Sequence, residues 1–403
     1  MSRQVLCALA LGVVVSLAGS VWWAPAATLA GPVLTPSRER WLKDAQLGPY
    51  AGRNQDWKAI EDAARREGKV VVYSSSSRIP DAAKTFEAAY PGIKVEAFDI
   101  GTVTTITKIK EEARAGVHVG DVFFAGDPPT VVKELIPKGL LWNFVPSNLA
   151  AVVPREFQEP LLVHRLGTRV IIYNSEVYKK SPITNWWDLT RPQWKGKILM
   201  KDIFESGENL SVLTTFVQHA DDFAKAYREA FGKDIVLDRD VPNAAYQWIR
   251  EFLRNDPVFA GSDGDVSKFV GTKGQKDPPL GWVDYAKYRD VLAGRFAFEP
   301  VLDARPVCCV FYQSYIGIID QAPHPNAAKL MIRWLMGDSK GGLGFAPWFV
   351  PGDYAPRTGM IVVPPGAVPF AVLRTRSWVI DPVFAYQHGP KVLDFWVANQ
   401  RRR

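Results

Sequence analysis

The feature that most constrains this chain is a regular alternation starting at Lys69. Lys69 to Tyr73 is a β-branched strand, Ser74 to Arg78 a polar turn, and Pro80 opens a helix with Ala83, Phe86 and Tyr90 on one face. Pro91 and Gly92 stop that helix, and Ile93 to Phe98 reads as a second strand. Thr104 can cap a helix carrying Ile106, Ile109 and Ala113, which ends at Gly116. Asp121 to Ala125 is a third strand, and Asp127 with Pro128 caps a third helix stopped by Pro137 and Gly139. Strands separated by helices must cross over in one hand, so this run predicts an open α/β sheet with parallel strands. A second run starts at Lys197–Met200 and predicts helices over 221–231, 242–254 and 284–293, the first and last closed by Gly232 and Gly294. Two further strands, Thr168–Tyr173 and Val310–Ile319, and an amphipathic helix, Asn326–Met336, complete the regular part.

The 403 residues are 47% hydrophobic and 23% charged, which excludes a disordered or coiled-coil chain and allows two or three compact units. Lys and Arg number 49 against 42 Asp and Glu, a net charge of +7. Spread over this length, that excess suits small anions and falls short of a nucleic-acid footprint. Three cysteines cannot build a disulfide framework. Adjacent Cys308 and Cys309 point to opposite faces of a strand and read as apolar core residues. Residues 1–26 read as a cleavable export signal: Arg3, an apolar run from Val5 to Trp23, then Ala24 and Ala26 in an Ala-x-Ala site. Residues 27–56 read as a surface arm, and 346–403 as a Pro- and aromatic-rich tail with little helical period.

The five histidines are scattered, and no zinc-protease, Walker, nucleophile-elbow or dinucleotide motif is present. No catalytic residue, metal site or cofactor is therefore expected. The informative segments lie after strands, where open α/β sheets collect ligands. Ser74, Ser75, Ser76 and Ser77 with Arg78 offer hydroxyls, helix-start amides and a guanidinium to an anion; a plain capped loop would look the same. Thr102 and Thr104 follow the second strand and Asp127 the third, and capping alone would also explain them. In the second run, Ser206 and Gly207 repeat the pattern. Asp284 is a candidate cap, with Tyr285 and Tyr288 three apart on one helix face beside Lys287.

Taken in order, these segments resemble the bacterial extracellular solute-binding proteins of ABC importers, within the type-II periplasmic-binding subgroup that includes ferric-iron-, phosphosugar- and phosphonate-binding members. The residues that carry the resemblance are Val70–Tyr73 with its Ser run, Phe86–Val95, Gly120–Phe124 and Ile171–Asn174 with Pro182, Trp187–Leu189 and Pro192–Ile198. Asp284-Tyr285 and Pro325–Leu330 complete it, over about 57–345. The resemblance implies an α/β fold of two lobes. Lobe one would be 57–168 with 310–345, and lobe two 169–309. Two crossing strands, about Thr168–Asn174 and Val310–Ile319, would form the hinge. The tail 346–403, outside the resemblance, is read as bracing lobe one, with covering the cleft rim or contacting a partner as the alternatives. The resemblance also implies a periplasmic or secreted monomer that captures a small solute between the lobes and delivers it to an inner-membrane permease. The ferric subgroup presents two adjacent tyrosines, whereas here Ala286 and Lys287 separate Tyr285 from Tyr288. An organic anion therefore fits better than a hard cation. Ferric binding, and an enzyme using Cys308 or Cys309 as a cleft nucleophile, are the alternatives.

Overall fold

The structure, a computed structural model, describes residues 32, 34–52, 54–337, 342–357 and 366–400. The expected export signal lies outside the described residues. In chain order the strands are β1 (Lys69–Ser74), β2 (Lys94–Asp99), β3 (Val122–Ala125), β4 (Leu141–Trp142), β5 (Val163–Asn174), β6 (Ile198–Lys201), β7 (Val258–Ala260), β8 (Leu280–Asp284), β9 (Phe298–Pro300), β10 (Cys309–Ile319) and β11 (Ser377–Val379). They form one sheet in the order β2-β1-β3-β10-β5-β8-β6-β7, with β4 and β11 on β10 and β9 on β5.

Two parallel blocks flank an antiparallel centre. β2-β1-β3 are parallel, and so are β8-β6-β7. β5 and β10 pair antiparallel between them, with Tyr312 opposite Gly167 and Val310 opposite Arg169. These are the two crossing strands expected from the sequence, β5 starting five residues earlier than Thr168. Each block carries its own core. One gathers Val70, Val72, Phe86, Leu330 and Leu335; the other gathers Trp186, Phe216, Trp248, Phe252 and Trp282. β1 is Val-rich because helices cover both of its faces.

Three segments differ from the sequence reading. Residues 36–44 form a helix rather than a surface arm: Leu42 is buried, and Arg38 pairs with Asp320 at 2.8 Å. Residues 284–293 do not form one long helix. Asp284 caps a tight turn, Tyr285–Tyr288, followed by a single helical turn, Arg289–Leu292. The tail does not simply brace lobe one. Phe345 and Trp348 join the lobe-one core, Tyr354 pairs with Leu166 of β5, and β11 adds to β10. The helix Pro382–Asn399 then packs Val392 and Trp396 into the lobe-two core. Pro390 within that helix hides it from a periodicity reading, since proline removes a backbone donor.

Candidate functional site

Between the two blocks lies a cavity of about 570 Å³, within the roughly 300–1,000 Å³ usual for small-molecule sites. Four helices begin at its wall: Ile79–Ala89, Thr102–Ala115, Gly207–Gln218 and Asp263–Gly271. This follows from topology, because parallel strands end at one edge and the next helix starts there. Ser206 and Ser262 cap their helices with side-chain oxygens. Gly101, at φ +74°, has no side chain to do so. The first amides of its helix thus remain for water or a solute, at the positive end of the helix dipole.

The lining carries six cations, Arg78, Arg165, Arg169, Lys201, Lys287 and Arg289, against five carboxylates. Their pairing matters more than the count. Arg169 binds Asp263 with two hydrogen bonds, 2.6 and 3.0 Å. Arg78 donates to Asp353 at 2.6 Å, and Arg165 donates to the other oxygen of Asp353. Tyr312 donates to Asp284, whose carboxylate also lies 3.8 Å from Arg165. Burial works against the charge on Asp284, but Arg165, Arg169 and Arg78 outweigh it and hold the carboxyl below its usual range. Gly167 makes this crowding possible: a Cβ there would lie 2.4 Å from the Tyr312 ring and 2.5 Å from Arg165 Nη1.

Lys201, Lys287 and Arg289 form no salt bridge with a carboxylate among the described residues. Burial pushes the Lys287 ammonium down from its ordinary value, and neighbouring Arg289 adds to the push. Arg289 donates to the Ala286 carbonyl at 2.9 Å and reaches Ser77 of lobe one at 3.4 Å. Thr102 donates to Glu208 across the same gap at 2.7 Å. With Asp353 behind the wall, the six cations meet six carboxylates, so Lys201, Lys287 and Arg289 stand among Asp99, Glu205 and Glu208 without a salt bridge to any of them.

A family model for bacterial extracellular solute-binding proteins matches residues 73–342. The chain belongs to this family. Its members are solute-binding proteins. Among solved structures, iron-bound HitA from Pseudomonas aeruginosa is similar at 18% identity and TM-score 0.62, covering 83% of this chain and 99% of that one. The periplasmic binding protein AfuA from Actinobacillus pleuropneumoniae, with fructose-6-phosphate bound, is similar at 22% identity and TM-score 0.61, over 82% and 98%. A substrate-binding protein of an ABC transporter from Agrobacterium tumefaciens gives 16% identity and TM-score 0.63, over 83% and 94%. These likenesses support the two-lobed fold. Among curated protein sequences none matches significantly.

In this solute-binding protein the cavity brings together Ser75, Ser76, Ser77, Arg78, Thr102, Thr104, Ser206 and Asp284 of the expected site. Five expected residues do not line it. The Ser74 hydroxyl is buried and accepts the Ser76 amide at 3.0 Å. Asp127 caps Thr130 and abuts Gly207, so both close the lobe contact beside the cavity. Burial, with Glu208 adding, pushes the Asp127 carboxyl up to about 6. Tyr285 and Tyr288 turn away: Tyr288 donates to Glu299 at 2.9 Å, and Tyr285 packs against Gly352 and Gly366 of the tail. The tail occupies the space that a ligand would need to reach them. Cys308 and Cys309 are buried in the core beneath, outside the lining.

Arg165, Arg169, Lys201, Asp263, Arg289 and Tyr312 were not foreseen. The signal for the arginines was present: Arg165, Gly167 and Arg169 share one face of a period-two strand.

Proposed function

We propose that this chain is the substrate-binding component of an ABC importer, capturing a small anionic solute, phosphorylated, phosphonate or carboxylate, in its interlobe cleft. It then delivers that solute to an inner-membrane permease, acting from the periplasm after removal of residues 1–26. The single observation that carries the anionic reading is the set Lys201, Lys287 and Arg289, which face a cavity fed by four helix starts and form no salt bridge with a carboxylate among the described residues. Anions favour such positions both by charge and by the amides on offer. Ferric binding is poorly supported. The phenols of Tyr285 and Tyr288 lie outside the lining, and burial pushes the Tyr312 phenol well above its usual range, against the phenolate that a hard cation needs. A cysteine enzyme is poorly supported because both thiols lie outside the cleft.

A thermal-shift screen of phosphate esters, phosphonates, carboxylates and Fe³⁺ tests the reading. A ligand present at about a hundredfold its Kd adds roughly 2.7 kcal/mol to native-state stability. An upward shift with at least one organic anion and none with Fe³⁺ is expected; no shift with any anion sinks the proposal.

Affinity should also depend on pH. The protonated Lys287 is the form that attracts an anion, and its pKa lies below the ordinary 10.5. Affinity therefore falls as pH rises towards 10.5, earlier than an ordinary lysine allows. In Lys287→Arg the charge persists, so titration calorimetry across that range should give a nearly flat profile.

A further inference from the structure

Two arginines of the cleft floor, Arg78 and Arg165, are answered from behind. The side chain of Asp353 is fully buried, and its two oxygens take guanidinium groups from different elements: Arg78 at the start of the lobe-one helix and Arg165 on β5. Its backbone is fixed on both sides. Thr168 donates to the Gly352 carbonyl at 2.6 Å, and Tyr354 exchanges two hydrogen bonds with Leu166, at 2.8 and 3.0 Å. Asp353 lies beyond the 73–342 span of the family match, so the tail brings this carboxylate to the cleft. Arg78 and Arg165 border the cavity, whereas Asp353 stands behind them. A carboxylate bridging two guanidiniums occupies their best donor positions.

We propose that Asp353 is a built-in counter-anion that sets the specificity of the cleft. It takes up Arg78 and Arg165, which would otherwise hold an anionic group of the solute, and thereby lowers by one the negative charge that the cleft accepts. This rests on the reading of the cleft as an anion site, but the interaction between Asp353 and the floor arginines can be tested without knowing the solute. The probe is sodium formate, the smallest carboxylate.

In Asp353→Ala, Arg78 and Arg165 lose the carboxylate they share, and the vacated space fits formate. About 50 mM formate should raise the variant's melting temperature by several degrees more than it raises the wild type's, because it binds a native site that the wild type has filled. An equal rise in both proteins overturns the proposal and leaves the solute reading intact. If Asp353→Ala is insoluble, refolding with and without formate decides: recovery only with formate supports the proposal, and failure in both conditions overturns it. The specificity consequence is read on Asp353→Asn, which keeps the shape and drops the charge. Inorganic phosphate should bind it roughly tenfold more tightly than it binds the wild type, as an added charge-assisted contact requires. Unchanged phosphate affinity would overturn the charge-setting role.

Discussion

Replacing Lys287 and Arg289 together by glutamine should weaken binding of the cognate anion by roughly a hundredfold or more, since each charge-assisted contact contributes about 1.5–3 kcal/mol. Calorimetric titration measures this directly. A loss of less than about fivefold (~1 kcal/mol) would place the anion elsewhere. Folding should survive the change, because neither side chain forms a salt bridge with a carboxylate among the described residues. The sign for Lys287 follows from its lowered pKa. The folded protein holds that proton less firmly than the unfolded chain does. The charged lysine therefore costs stability at neutral pH, and the cost disappears only above the unfolded value of 10.5. Lys287→Gln alone should melt at or above the wild-type temperature while binding less well. A residue that lowers stability and raises affinity is one kept for function.

The second large effect concerns stability. Arg165→Met should cost about 3–5 kcal/mol, read as a lower urea midpoint with unchanged slope, because removing one member of a buried ionic network strands the rest. Asp353 would keep only Arg78, and Asp284 would lose one of the cations that hold it ionised. Burial opposes the charge on Arg165, and Asp353, Tyr312 and Asp284 together more than offset it, leaving its pKa raised. A cost under about 1 kcal/mol, as at an exposed pair, would show that the network relaxes around the loss.

What the sequence made legible was local. Val70 to Val72, Pro80 and Gly116 announce strand, helix start and helix stop by their own conformational limits, so the edge where Ser75 to Arg78 and Thr102 gather could be placed without tertiary information. What stayed hidden was the partner of each charge. Arg165 meets a carboxylate 188 residues later in the chain, and Arg169 one 94 residues later. No periodicity encodes pairings of that length. The same holds for Tyr285. Its spacing from Tyr288 suggested a shared helix face, but Asp284, gripped by Tyr312, holds a tight turn instead, and Gly352 packs on the Tyr285 ring.

The tail changes the mechanics of the molecule. The chain passes between the lobes through β5, returns through β10, and passes a third time between Trp348 in one core and the helix Pro382–Asn399 in the other. On the way it is fastened to both crossing strands, at Tyr354 and at β11. Two adjacent strands let a pair of rigid bodies both bend and twist. A third tether fastened to each of them resists the twist and leaves bending as the soft motion. Under the proposed importer reading, a membrane partner that opens the cleft would have one axis to work along, and leverage applied off that axis would be spent straining the strap.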